Sequence, residues 1–310
     1  MKWTDRIGRR LKLNDLHLFI TVFEMGSMSK AAERLAISQP SISKAIADIE
    51  HTVGVRLLDR TSTGVVPTAY GRALFKRSVG AFDELRQCIK DIEFLADPTV
   101  GEIRIGCPEA IASGLLVEVL DQFSSQYPRV TVRVSAADNM SQEFWQLRER
   151  QVDLLLGGVP KLFAEEDLEA EVLYEDRPFI VSGINSRWAR CRKVEFEELL
   201  EEPWLMPGEG FFLAESFRSQ GLAVPKFGVR TYSVYQRIHL LSTGRFIGIL
   251  SRSVLRSSAA KHFSLKILPV DFAAHFWSVA IVTLKNRTIS PVVQSFIDCI
   301  RDVAKPLSSR

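Results

Sequence analysis

The sequence predicts an α/β chain in three parts: an all-α head, one long helix, and an α/β body folded as two lobes. Three observations predict it. Between Gly26 and Arg60 two short runs of helical periodicity stand back to back, each opened by a hydroxyl residue. From Leu74 to Leu95 apolar and small residues recur at alternating spacings of 4 and 3. From Gly101 onward, strand-like and helix-like runs alternate. At 310 residues the chain is too long for one ordinary domain, and 46% hydrophobic with 25% charged residues is the composition of a soluble globular protein.

In the head, Leu13, Leu16, Phe19, Ile20 and Phe23 give the core face of a first helix, which Gly26 ends. Ser27 or Ser29 can cap a short second helix over 30–36, with Ala31, Ala32 and Leu35 inward. Ile37 turns the chain. Ser38 caps a third helix, and Pro40 sits in its first turn, where a missing N–H costs nothing. Ile42, Ala45, Ile46, Ile49 and Val53 then form one apolar face, opposite Gln39, Ser41, Ser43, Lys44 and Asp48. Gly54 stops that helix, and Arg56–Arg60, a turn at 61–64 and Val65–Pro67 read as a β-hairpin. Two short helices, a tight turn and a polar-basic outer face make a helix-turn-helix with a wing. Charge distribution agrees: residues 1–72 hold 11 Lys+Arg against 7 Asp+Glu, and the remaining 238 hold 29 against 30. The basic lead with Arg6, Arg9, Arg10 and Lys12 reads as a solvated tail.

The stretch GSMSKAAERLAISQPSISKAIADIEHTVGVRLLDR resembles the winged helix-turn-helix of the LysR-type transcriptional regulators. It matches G-S-[MF]-[ST]-x-A-A-x-x-L-x-x-[ST]-Q-[PS]-[AS]-[IV]-S-x-x-I at nearly every position and continues to match through the wing. Further on, F-x-x-x-Y-P (Phe123, Tyr127, Pro128) and VDLLLGG from Val152 stand where such proteins carry them. The resemblance implies a sequence-specific DNA-binding transcriptional regulator, set by a small-molecule effector bound between two lobes of a periplasmic-binding-protein-like domain. It divides the chain into a head (1–67), a linker helix (68–97) and an effector domain (98–310). Lobe one would be 101–169 with 272–310, and lobe two 170–271. It also implies a homodimer or homotetramer, contact with RNA polymerase at the promoter, and a minor-groove role for Arg60.

Thr68 caps the linker helix. Leu74, Ser78, Ala81, Leu85, Cys88, Ile92 and Leu95 make its heptad strip, with Leu74, Ala81, Leu85, Ile92 and Leu95 the expected dimer contact. Phe75, Val79, Phe82 and Ile89 form a flanking stripe expected to pack on the first helix, and Asp97-Pro98 ends the run. In the body, strands are expected at 102–106, 130–134, 152–157, 179–182, 226–231, 246–250 and 277–284. Helices are expected at 113–127, 141–150, 196–201, 213–220, 233–242 and 291–303. Strands separated by helices give parallel units, with a cleft where strand ends and helix N-termini converge.

On DNA, Gln39 can pair bidentately with adenine, Pro40 can pack on a thymine methyl, and Ser43 and Lys44 can reach the next bases. Ser27, Ser29, Lys30 and Ser41 are placed for phosphates, and Ser38, a cap first, lies at the same surface. The effector cleft is expected to be lined by Pro108, Glu109 and Ser113, by Asn139, Met140 and Ser141, and by Phe211, Tyr232 and Arg245. Helix N-termini there suit an anion, the commonest effector type in the family resembled, whereas Glu109 could repel one or bind a hydroxyl or amine. Glu109 and Arg245 are expected to approach each other across the cleft.

The sequence carries no G-x-S-x-G, phosphate loop, H-E-x-x-H or dinucleotide fingerprint, so neither an enzyme nor a cofactor is expected. The alternative reading is an enzyme or a solute-binding protein on the same two-lobed fold. Five histidines and four cysteines are scattered without metal-ligand spacing, and no metal site or disulfide framework is indicated. No apolar run reaches membrane-spanning length, and MKWTDRIGRRLKLNDL lacks the apolar centre of a signal peptide. The expected place of work is the cytoplasm.

Overall fold

A computed structural model of the chain describes residues 10–61, 64–97, 99–137, 144–159, 163–207, 217–218, 221–257, 260, 262–271 and 277–308, with backbone alone at Phe227 and Trp277. They fall into two compact units, Met1–Ile89 and Lys90–Arg310.

The first unit packs α1 (Leu13–Met25), α2 (Met28–Leu35) and α3 (Gln39–Val53) around Phe19, Val22, Ala31, Ile42, Ile46 and Ile49. Every stop and start expected between them is present. Gly26 and Gly54 close α1 and α3 in the left-handed region, and the Ser27 and Ser38 side chains accept from the N–H groups of Lys30 and Ser41. The turn between α2 and α3 rests on Ala36, at φ 53°, where an alanine does the work usually given to glycine. Leu13 and Val53, expected inside, are 50% and 41% exposed, because each lies at the outer end of its helix.

Strands β1 (Leu58–Thr61) and β2 (Gly64–Pro67) form the antiparallel wing, with Arg60 opposite Val65. Two anchors tie it to the helices. Glu50 on α3 accepts from Leu57 N at 2.7 Å and Leu58 N at 3.2 Å, and Val65 N donates to Gly26 O at 2.9 Å. Gly64, at φ 148°, comes so close to Gly26 O that a Cβ would stand 2.3 Å from it, so no larger residue fits that crossing.

Helix α4 (Ala69–Ala96) has 28 residues, about 42 Å at 1.5 Å per residue. Thr68 Oγ1 caps it by accepting from Gly71 N at 3.0 Å. Phe75 stacks on Phe23 of α1 with ring centroids 3.9 Å apart, and Phe82 meets His17 at 5.9 Å, as the flanking stripe requires. The structure corrects two other positions. Leu74, placed on the heptad strip, packs on the head core beside Phe75. Ile89, placed on the inner stripe, is 57% exposed and joins Leu85, Ile92 and Leu95, which are 43%, 61% and 78% exposed.

The second unit holds two five-stranded sheets. Lobe one has the order β4-β3-β5-β12-β6, from β3 (Val100–Cys107), β4 (Arg129–Ala136), β5 (Leu154–Val159), β6 (Leu168–Asp176) and β12 (Trp277–Leu284). Strands β3, β4 and β5 are parallel, and β12 runs antiparallel between β5 and β6. On one face lie α6 (Leu115–Gln126) and α10 (Pro291–Ser308), covering Ile103, Val119, Phe123 and Phe296; the short α7 (Trp145–Arg148) covers the other. Lobe two has the order β11-β7-β10-β8-β9, from β7 (Pro178–Gly183), β8 (Trp204–Pro207), β9 (Phe227–Thr231), β10 (Ile247–Ser251) and β11 (Leu265–Ile267). Its helices include α8 (Val234–Ser242) and α9 (Arg252–Arg256).

Two expectations are corrected here. The chain leaves lobe one after Asp176, not after residue 169, because β6 pairs with β12 from Leu168 to Asp176. The run Phe196–Leu199 is a 3-10 turn rather than an α-helix. Of the helix expected over 213–220 only residues 217–218 are described, and they are helical; of that expected over 141–150, residues 141–143 lie outside the described residues and the helix itself is confined to Trp145–Arg148.

Candidate nucleic-acid interface and effector cleft

The first turn of α3 projects from the head with Ser38, Gln39, Pro40, Ser41 and Lys44 all exposed. Ser38 spends its oxygen on the cap, and its hydroxyl lies 2.8 Å from that of Ser41. Ser29 on α2 donates to Gln39 Oε1 at 3.1 Å, so the two helices are joined by hydrogen bonding at the surface where Gln39 stands. That bond restrains a long side chain before any partner arrives, which lowers the entropy cost of using it. Lys30 is exposed beside them, and Arg60 is exposed on the wing strand. Ser27 is half-buried and acts as a cap. Ser43 departs from the expected base-reading role: its hydroxyl turns inward to Met28 Sδ at 3.4 Å. A face of hydroxyls, one amide and lysines, with no carboxylate on its first turn, suits a phosphate backbone and base edges.

In the second unit, β3 ends at Cys107 and Pro108 leads into the short α5 (Glu109–Ala112). Glu109 crosses to lobe two. Its Oε1 accepts from Val234 N, the first residue of α8, at 2.9 Å, while Ser233 caps the same helix by accepting from Gln236 N. A carboxylate on a helix N-terminus is favourable on both hydrogen-bond and dipole grounds. Its neighbour Ala110 packs on the apolar cluster of lobe two with Val234, Ile238 and Val254. Ser113 gives its hydroxyl to Glu109 O at 2.6 Å, so its donor serves the short helix itself. Tyr232, just before the cap, is 72% exposed.

Arg245 does not meet Glu109. It lies beyond the C-terminal end of α8, its guanidinium 5.6 Å from the Phe246 ring, while Glu109 sits at the N-terminal end. A nine-residue helix puts about 13 Å between those ends. The cation on which the Glu109 charge acts is Arg237, one turn into α8 from the Val234 N–H that holds Glu109. It is buried, its Nε–H has no hydrogen-bond partner, and burial lowers its pKa while the Glu109 charge opposes that shift. The sequence held a signal for this: Arg237 falls at i+3 from Val234, on the face that also carries Ile238 and Leu241 inward. Asn139, Met140, Ser141 and Phe211 lie outside the described residues.

Two further carboxylates are buried in the second unit. Asp176, where the chain leaves lobe one, accepts from Ser253 N and from Ser253 Oγ on lobe two. Burial dominates there and raises its pKa against those hydrogen bonds. Asp153, opening the VDLLLGG segment, accepts from Arg104 Nη2 at 2.8 Å and Arg287 Nη2 at 2.7 Å, with Lys90 Nζ at 3.7 Å. Burial pushes its pKa up, and Arg104, Lys90 and Arg287 together outweigh that and hold it below the ordinary carboxylate value.

An exposed-helix head with a wing, joined to a two-lobed α/β body with a polar cleft, defines a DNA-binding regulator coupled to a ligand-binding domain. Comparison with known proteins carries this to a family. Residues 13–72 match the bacterial regulatory helix-turn-helix protein model of the lysR family, and residues 96–305 match the LysR substrate binding domain. The chain therefore belongs to the LysR family of transcriptional regulators, with a helix-turn-helix head and an effector-binding domain. It is 26% identical over 287 residues to the HTH-type transcriptional regulator TdcA of Escherichia coli (strain K12), covering 91% of this chain and 85% of that protein. Among solved structures, a full-length OxyR variant from Pseudomonas aeruginosa is similar at a TM-score of 0.66 and 19% identity, covering 96% of each chain. Full-length CbnR complexed with its target DNA is similar at 0.53 and 19%, covering 95% of this chain and all of that one (100%). Among the described residues, no helix is long and apolar enough to cross a membrane.

Proposed function

We propose that the chain regulates transcription in the cytoplasm, without catalysis, as a homodimer or homotetramer whose α3 helices enter successive major grooves of a roughly palindromic operator. Gln39 reads adenine, Pro40 packs on a thymine methyl, and Lys44 reaches the following bases. Ser27, Ser29, Lys30 and Ser41 fix register on phosphates, with Ser38 holding the helix end that carries them, and Arg60 reaches the minor groove. The strip of Leu85, Ile92 and Leu95, with Ala81 above it, pairs with the same strip of a second copy. An effector in the cleft, between the Pro108–Ser113 and Tyr232–Arg237 segments, biases the lobes between two arrangements and so alters how the heads engage DNA and RNA polymerase.

The observation that carries this reading is the exposed first turn of α3, with Gln39 already held by Ser29. The test is a gel-shift titration on a duplex that the protein selects from a random pool. Gln39→Ala should lose about 1–3 kcal/mol for that duplex and leave non-specific, salt-dependent binding nearly intact. Unchanged specific binding would put the reading helix elsewhere. Leu85→Asp should convert the dimer to a monomer or aggregate by light scattering, because a charge is desolvated in the paired strip.

A further inference from the structure

The Glu109–Arg237 pair has a property that neither a structural salt bridge nor a simple anion hole would show. Arg237 is only 6% exposed, yet its Nε–H is unpartnered. A guanidinium offers five donors and no acceptor, and burying one with donors unused costs stability. Glu109 stands close enough to be felt electrostatically, but it has given one oxygen to Val234 N and forms no salt bridge with Arg237. As an ionised carboxylate it can only accept. Val234, whose N–H holds Glu109, and Arg237 are neighbours at i and i+3 on α8, so an unfilled cationic donor and a partly filled anionic acceptor belong to the same turn of the helix.

That arrangement discriminates among ligands. A simple carboxylate could use Arg237 but would stand against Glu109. An amine alone could use Glu109 but would add a second cation over Arg237. Two unlike groups on adjacent carbons satisfy both. We propose that Glu109 and Arg237 are the two poles of a subsite for a short carboxylic acid that carries a hydroxyl or ammonium group beside the acid, with the carboxylate on Arg237 and the donor group on Glu109. Arg237 donates to both carboxylate oxygens as a bidentate pair, which supplies the acceptors it lacks. The α8 N-terminus keeps its hydrogen bond from Val234 to Glu109, so the ligand joins the two lobes through groups already in contact. This rests on the cleft being the effector site.

The test is the thermal melting midpoint of the full chain at fixed ionic strength with four probes: glycolate, glycine, acetate and ethanolamine. Glycolate or glycine should raise the midpoint by about 2–4 °C at saturating concentration, with acetate and ethanolamine giving less than half of that. Whichever of the first two is stronger identifies the donor as hydroxyl or ammonium. Glu109→Gln should erase the preference of the protein for glycine over acetate. Arg237→Met separates a ligand-binding role from a packing role: it should raise the unliganded midpoint, by removing an uncompensated buried charge, and abolish every response. A fall in that midpoint, an acetate response equal to those of glycolate and glycine, or no response to any probe would each overturn the subsite. Gel shifts on the same preparations keep the two readings apart, since wild-type DNA binding that survives those outcomes leaves the regulator standing without this ligand class.

Discussion

Arg287 and Arg237 are both buried guanidiniums, 8% and 6% exposed, one in each lobe, and their surroundings treat them in opposite ways. Arg287 donates to Asp153 Oδ1 at 2.7 Å and to Val152 O at 2.9 Å, inside a cluster that also includes Arg104 and Lys90. Arg237 has an orphaned Nε–H and feels the Glu109 charge without forming a salt bridge to it. Burial alone therefore says little about an ion's task. What separates a clamp from a socket is whether its donors are spent, and the effector unit contains one of each.

The comparison breaks most visibly at Asp153. Asp153→Ala leaves two arginines and a lysine around a hole, and should cost about 3–5 kcal/mol in urea denaturation. A loss under 1 kcal/mol would mean that water replaces the carboxylate, and the cluster would no longer count as a clamp. Next comes the paired test with one substitution at two sites. Arg287→Met should lower stability by about 2–4 kcal/mol, because Asp153 loses a partner and Val152 O a donor. In lobe two the same change, Arg237→Met, is expected to stabilise, so two shifts of equal sign would erase the distinction.

Acid sharpens the contrast between the two buried carboxylates. Asp153 has a folded pKa below its ordinary value, so its contribution is complete above about pH 4 and is lost as pH falls through the lowered value. Asp176 has a raised folded pKa, so what it contributes is complete below about pH 4 and is lost as pH rises through the raised value. Stability measured from pH 7 down to pH 3 should thus fall less steeply in Asp153→Asn than in wild type, and more steeply in Asp176→Asn. The smallest expected effect is Asp176→Asn at neutral pH. It should stay within about 1 kcal/mol of wild type, because the amide oxygen still accepts from Ser253 N and no cation is stranded.

Legibility in the sequence followed the range of the interaction. The head was readable almost residue by residue: Ser27, Gly26, Ser38 and Gly54 act within one turn of their own positions, and the apolar spacing of α3 needs no other segment. Strand β6 was hidden because LEAEVLYED mixes acidic residues with a register shift; opposite Val279 and Ala280 the pairing skips Leu173, which breaks the strand's alternation. At the cleft, Glu109 was singled out but given the wrong cation. Its reach to α8 depends on the angle between lobes, which no local pattern encodes, and both arginines follow Val234 closely in sequence, although Arg237 lies within α8 and Arg245 beyond its C-terminal end. Lys90 shows the same limit: it reads as a surface lysine on a long helix, yet it donates to Glu102 O at 3.1 Å and has its pKa lowered by burial.

The linker helix leaves a consequence for chemistry rather than for recognition. Cys107 and Cys299 are buried, with thiols that burial makes harder to ionise, whereas Cys88 and Cys191 are exposed. Cys88 stands on α4 between Leu85 and Ile92, within the apolar strip, and Cys191 stands far from it in sequence, in lobe two. An electrophile such as a maleimide therefore finds an open thiol on a bare strip and loses it when a second helix lies over that strip, with Cys191 as the internal standard. Intact mass after a short labelling pulse then counts helix pairing directly, in the unmodified protein, at any dilution or on any DNA.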